Sequence, residues 1–160
     1  MQLTRYTDYA IRVLLHVGAR DEHTRSSVTQ IAQVYGISKD HLKKVVQNLS
    51  QAGLLEAVRG RGGGLQLGRP ADEITIGEIV RQTESGFDLV DCSSCIVAPA
   101  CTLPRILREA LQAFMAVLDR YTLADILSRK VDMQSLFGGA QTLGTTIKRV
   151  TQTQCADPGR

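Results

Sequence analysis

Tryptophan is absent, and aromatic residues make up only 4% of the 160 residues, so Leu, Ile, Val and Ala must fill the core. Long apolar runs are missing too, and none approaches the ~20 residues of a membrane span. The opening Met1-Gln2-Leu3-Thr4-Arg5 leads straight into an amphipathic pattern with no apolar signal region, so a cytoplasmic protein is expected. Net charge is weak: the formal +3 alone decides nothing about nucleic acid. Enzyme signatures are lacking as well. No Ser–His–Asp arrangement or paired-carboxylate pattern stands out. The Gly62-Gly63-Gly64 run has no Lys-Ser/Thr behind it and does not open a helix, which argues against a nucleotide site. A non-enzyme is expected. There is no internal repeat, and the length suits one domain or a domain with an appendage.

What is present is a cluster of thiols. Cys92, Cys95 and Cys101 lie in Asp91-Cys92-Ser93-Ser94-Cys95-Ile96-Val97-Ala98-Pro99-Ala100-Cys101, a C-x2-C-x5-C spacing just before a long apolar stretch. In a reducing compartment, clustered thiols point to metal or redox chemistry more than to a structural bridge. Soft thiolates suit Zn²⁺, Cu(I) or an iron–sulfur cluster. Structural zinc usually takes two close ligand pairs. Here there is one pair, a single further Cys and no nearby His, so an iron–sulfur centre is the first reading, with zinc or free thiols as the alternatives. Three thiolates are one short of four. The missing ligand must come from elsewhere in the chain, a second subunit or a small molecule, and Glu84, Asp88 and Asp91 are local oxygen candidates. An incompletely held iron site can react, which is what a sensor needs. Cys155 lies far off in a polar tail and reads as a bystander, while His16 and His23 read as packed or solvated residues without metal-like neighbours.

The rest of the chain reads as a DNA-binding domain. Tyr6, Ala10, Val13, Leu14 and Val17 predict a helix over 2–19, ended at Gly18. A short helix over about 28–35 stops at Gly36. Ser38 is the expected N-cap of the next helix, about 39–52, with Ile37 stapled onto Leu42. Leu42, Val45, Val46 and Leu49 face inward, leaving a polar and basic face outside. Leu54–Val58, the cationic turn Arg59-Gly60-Arg61-Gly62-Gly63-Gly64 and Leu65–Leu67 form a hairpin. Helix-turn-helix plus basic hairpin is a winged helix. The reading face is assigned to Ser38, Lys39, His41, Lys43 and Lys44, with Arg59 and Arg61 on the wing. Gln2, Thr4, Arg5 and Thr7 add phosphate contacts. Lys43 is the expected base reader, because Lys or Arg to guanine is the commonest specific contact. Thr75-Ile76-Gly77-Glu78 is a capping box that opens a helix over about 76–84. Leu103, Ile106, Leu107, Ala110, Leu111, Phe114, Met115 and Leu118 form a stripe longer than a small wing domain needs, which predicts a dimerisation helix. The fold class is therefore mainly α with a small β-hairpin wing. Its expected segments are a DNA-binding domain (1–80), a cluster-binding loop (81–102), the dimerisation helix with a short following helix (103–130) and a disordered tail (131–160).

Taken together, Leu3-Thr4-Arg5-Tyr6-Thr7-Asp8-Tyr9-Ala10, Ile37-Ser38, Val58-Arg59-Gly60-Arg61-Gly62-Gly63-Gly64-Leu65, Thr75-Ile76-Gly77-Glu78-Ile79-Val80 and the three cysteines resemble the Rrf-two family of bacterial winged-helix regulators over about residues 1–130. The cysteine segment is most similar to the nitric-oxide-sensing branch. The resemblance implies a homodimeric repressor on a palindromic operator in double-stranded DNA, with an iron–sulfur cluster on Cys92, Cys95 and Cys101. By analogy the cluster is [4Fe-4S], and the spacing leaves [2Fe-2S] open. The branch that governs iron–sulfur assembly carries a histidine three residues after the last cysteine, and here that position is Pro104. Some nitric-oxide-sensing members recruit an acidic residue near the N-terminus of the other subunit, a position that Asp8 matches. Nitric oxide would react at the cluster and release the DNA. Two other readings stand beside this one. The first is a regulator of the same fold that senses iron or redox state. The second is an iron–sulfur carrier or electron-transfer protein whose DNA binding is vestigial.

Overall fold

The structure is a computed structural model that describes residues 2–20, 24–60 and 62–142, without the side chains of 140–142. Helix α1 (Arg5–Gly18) is the central strut. Thr4 caps it by accepting the Thr7 N–H, and Ala10, Val13, Leu14 and Val17 are buried at the spacing that predicted the helix. Helix α2 (Val28–Tyr35) opens on a reciprocal Ser27/Gln30 capping box and closes on Gly36, whose φ of 63° is the left-handed turn that glycine adopts without a Cβ clash. Helix α3 (Lys39–Gln51) follows. Ile37 and Leu42 are both buried on either side of Ser38, while Ser38 itself makes no side-chain cap bond.

Strands β1 (Leu55–Val58) and β2 (Gly64–Leu67) pair antiparallel, Leu55 opposite Leu67 and Val58 opposite Gly64. Leu55 and Leu65 are buried, so the hairpin rests on the helices by its apolar face. The Leu65 N–H donates to the Ser26 carbonyl at 3.0 Å and ties the wing to the segment before α2. The chain is therefore a winged helix-turn-helix, mainly α with a two-stranded wing.

Helix α4 (Ile76–Thr83) is capped by Thr75, which accepts the Glu78 N–H at 3.1 Å. Only half of the expected capping box forms: the Glu78 carboxylate turns to Arg69 instead of returning to Thr75. Helix α5 (Leu103–Leu118) follows the cysteine loop, and α6 (Leu123–Ile126) opens on a full Thr122/Asp125 box. Two backbone bonds lock this junction to α4: Ile76 N–H to Tyr121 at 2.9 Å and Leu123 N–H to Ile74 at 2.8 Å. Arg81 grips Asp119 with both guanidinium arms, one at 2.8 Å. Among the described residues no helix is long and apolar enough to cross a membrane.

One element departs from the sequence expectation. Residues 130–142, read as the start of a tail without structure, form helix α7 (Lys130–Thr142). Phe137 is buried, its ring 4.5 Å from that of His16 and 6.0 Å from that of Tyr35. Gln134 also donates to the Ala19 carbonyl. A lone aromatic in a Gly- and Gln-rich stretch carries no helical period. What orders it is burial against α1 and α2, worth about 1.5–3 kcal/mol for such a side chain. The rest of the expected tail, including Cys155, lies outside the described residues, as do His23 and Arg61.

Candidate DNA-binding face and thiol loop

Burying Leu42, Val45, Val46 and Leu49 on one side of α3 turns Lys39, His41, Lys43 and Lys44 to solvent together. Ser38 stands at the N-cap with its hydroxyl exposed and unused by the helix, and so available to an acceptor from outside. Arg59 is exposed at the end of β1, where Gly63 N–H donates to Gly60 across the wing turn at 3.0 Å. Gln2 and Arg5 are exposed at the start of α1. Lys43 is already engaged: its Nζ lies 2.9 Å from Asp40, and that hydrogen bond and charge hold the Asp40 carboxyl below its usual range. Both side chains are largely exposed, so Lys43 can exchange partners at little cost.

Thr7 is a correction. The sequence places it at a phosphate, but it is completely buried and donates its hydroxyl to Glu84 Oε1. Thr4 remains exposed, yet both its N–H (2.8 Å) and its hydroxyl (3.1 Å) also donate to Glu84. Desolvation pushes the Glu84 carboxyl up, but the bonds from Thr7 and Thr4 outweigh it and its pKa falls below the usual range. Glu84 is the C-cap of α4, eight residues before Cys92. In the sequence Glu84 reads only as a candidate oxygen ligand. Its structural role was not readable, because its partners lie about eighty residues earlier in the chain.

The loop carrying the thiols is a succession of tight turns. Asp91 Oδ1 accepts the Ser93 N–H at 2.9 Å and the Ser93 hydroxyl at 2.6 Å, which lowers the Asp91 pKa. Cys95 N–H donates to Cys92 at 3.4 Å, Ala98 N–H to Cys95 at 3.1 Å, and Cys101 N–H to Ala98 at 3.3 Å. Cys92 and Cys101 are half-buried, Cys95 is exposed, and none of the three is in a disulfide. Reduced, accessible thiols on one short loop are the donor set that a thiophilic iron centre requires. In this conformation, among the described residues, no three Cys, His, Asp or Glu side chains converge closely enough to hold a metal ion.

The oxygen candidates sort themselves by their partners. Asp91 is held by Ser93 and Glu84 by Thr4 and Thr7. Asp8 is paired with Arg12 at 2.9 Å and is about half exposed. Asp88 lines an open groove of about 620 Å³ together with Cys92, Pro104, Leu107 and Leu111. The groove runs onto α5, which buries only Met115 and leaves Leu103 (47%) and Ile106 (52%) exposed.

Comparisons with known proteins match the same elements. Residues 3–129 fit the model of the Rrf2 family, described as iron-dependent transcriptional regulators. The chain is 47% identical over 141 residues to the HTH-type transcriptional regulator NsrR of Bacillus subtilis, covering 85% of this chain and 97% of that one. It is 46% identical to NsrR of Geobacillus kaustophilus, covering 85% and 96%. Among solved structures it resembles IscR of T. potens (TM-score 0.67, 26% identity, 84% of this chain and 91% of that one). It also resembles the global cysteine regulator CymR of B. subtilis (TM-score 0.64, 28% identity, 81% and 98%). Both NsrR proteins and CymR are named as regulators, which agrees with the expectation of a non-enzyme.

Proposed function

The chain belongs to the Rrf2 family of transcriptional regulators, and from that premise we propose that it is a cytoplasmic, homodimeric repressor that senses nitric oxide through an iron–sulfur cluster. Cys92, Cys95 and Cys101 would hold the cluster, [4Fe-4S] by analogy with the nitric-oxide-sensing branch. Asp8 of a second copy is the candidate fourth ligand, exchanging Arg12 for iron. When bound, the cluster supplies an iron centre with which nitric oxide reacts. Everything downstream is carried by the chain's own residues.

The observation that carries the proposal is Glu84. It joins the segment leading into the thiol loop to Thr4 and Thr7, at the N-cap and first turn of α1, the turn that also carries Arg5 and Asp8. A change in the loop therefore bears on the end of α1 that flanks α3. In a dimer, two copies of α3 must enter successive major grooves about one helical turn apart, so a small shift of each α1 alters the fit. A coupling of ~3 kcal/mol between loop and DNA face changes affinity over a hundredfold. The exposed apolar side chains of α5 support a second copy packed along it.

The test uses anaerobically purified protein and a duplex that it selects from a random pool. Loss of the visible cluster absorption in step with loss of DNA binding, as nitric oxide is titrated in, is the expected result. A second reading, sensing of iron supply, is supported by the family's description as iron-dependent. DNA binding that follows iron loading and ignores nitric oxide would select it. A colourless protein carrying zinc would overturn both.

A further inference from the structure

The geometry points to a single-phosphate clamp in the cleft between α1 and α3, in which Arg5 and Lys44 grip one and the same backbone phosphate of bound duplex DNA. This inference rests on the DNA-binding reading above and specifies where the duplex backbone sits. The cleft has a volume of about 240 Å³ and is lined by Arg5, Tyr6 and Tyr9 from α1 and by His41, Lys44 and Val45 from α3. Its width is set by a bond between the two helices, the Tyr6 hydroxyl donating to the Lys44 carbonyl at 3.2 Å. Phosphate contacts fix the register of a reading helix, so a rigid seat at its flank is where one is useful.

The charges around the cleft are selective. On the same two helices, Arg12 is neutralised by Asp8 and Lys43 by Asp40, each pair at 2.9 Å. Arg5 and Lys44, the two cations that line the cleft, take part in no ion pair among the described residues, and neither does His41. The two carboxylates that α1 and α3 carry near the cleft are thus already matched outside it, and the cleft keeps uncompensated positive charge. The volume suits a phosphate with its sugar and is too small for a stacked base pair. The Tyr9 ring offers an apolar wall to the sugar, while Arg5, His41 and Lys44 offer donors to the phosphate oxygens. The occupant is DNA, not a free anion, because one wall of the cleft is α3, the reading helix, whose exposed Lys39 and Lys43 lie on its outer side.

A clamp on one phosphate makes an unusual prediction. Either cation alone still neutralises the phosphate, so the number of counterions released on binding does not change until both are gone. The experiment measures the affinity of the full chain for the duplex it selects, across a series of KCl concentrations, with R5Q, K44Q and the double variant. Both positions are exposed, and far-UV circular dichroism checks that the fold is kept. For the clamp, each single variant weakens binding with little change in the log–log salt slope, and the double variant reduces the slope by about 0.9, one phosphate's worth. Slopes that fall by about 0.9 in each single variant and about 1.8 in the double variant would mean two separate phosphates and overturn the clamp. Unchanged affinity in the double variant would overturn it too. If wild-type protein selects no sequence at all, the regulator reading fails, and the assigned occupant of the cleft fails with it.

Discussion

Thr7, on the first turn of α1, donates its hydroxyl to Glu84, seventy-seven residues later at the C-cap of α4. Thr7 is fully buried; apart from Glu84, the hydroxyl of Thr4 at 3.2 Å is the one other partner its hydroxyl has among the described residues. One carboxylate thus takes three bonds from the end of α1. Replacing Glu84 with Ala should cost about 1–3 kcal/mol, because it strands a buried donor. Glu84→Gln keeps an acceptor and loses only the charge-assisted share of the bonds. Amide hydrogen exchange at Thr4 and Thr7 should accelerate in the Ala variant and much less in the Gln variant. Identical exchange and melting in all three proteins would mean that the link does not hold the helix.

Acid should weaken the protein through His16. Burial, and then the nearby Arg20, lower its pKa from the ordinary 6.5 to about 4, with Nε2 3.0 Å from the Ser26 hydroxyl. The folded state prefers the neutral ring, and the unfolded chain takes up the proton more readily. Stability from this residue is therefore fully present above about pH 6.5 and declines as pH falls toward 4, by up to about 3 kcal/mol. Denaturant unfolding between pH 7 and 4 should show that decline, and His16→Gln should flatten it.

The same ring reports on α7. Phe137 covers His16, so Phe137→Ala should admit water and move the His16 pKa upward. A proton NMR titration of His16 reads this directly. A pKa unmoved by the substitution would show that α7 contributes nothing to the burial of the ring.

Gly77 packs where a side chain has no room. A Cβ placed there would sit 2.0 Å from Asp119 Oδ1, the carboxylate that Arg81 grips. Gly77→Ala must push Asp119 away and open the α4–α5 junction. A loss of about 1–3 kcal/mol is expected, visible as a lower melting temperature, and Asp119→Ala in the same chain should recover part of it by vacating the space.

Substituting any one of Cys92, Cys95 and Cys101 with Ser should abolish or bleach the visible cluster absorption while leaving the far-UV circular dichroism intact. All three thiols sit on an exposed loop and none belongs to the apolar core. Retention of the full absorption in any single variant would remove that cysteine from the ligand set.

Much of this architecture is written in short windows of sequence. The period of Ala10, Val13, Leu14 and Val17, the Ser27/Gln30 and Thr122/Asp125 boxes, Gly36 and the Gly-rich wing turn each act over a few residues. A helical face or a turn has a local signature because its hydrogen bonds close within four residues. Even there, local chemistry misled: Glu78 left its capping box for Arg69, nine residues back, and Ser38 holds the N-cap position without a side-chain bond. The thiol cluster was legible because it too is contiguous, spanning ten residues.

By itself, then, the sequence determined the winged helix, the basic face of α3 and the free-thiol loop. Only the tertiary structure decided that Thr7 is interior, that Glu84 ties the loop to α1, that 130–142 becomes a helix by burying Phe137, and that the unpaired cations Arg5 and Lys44 face one cleft. The physical reason is the same in each case. These relationships join residues from elements that meet only when apolar faces are withdrawn from water, and no local periodicity records which distant group a buried polar atom will find.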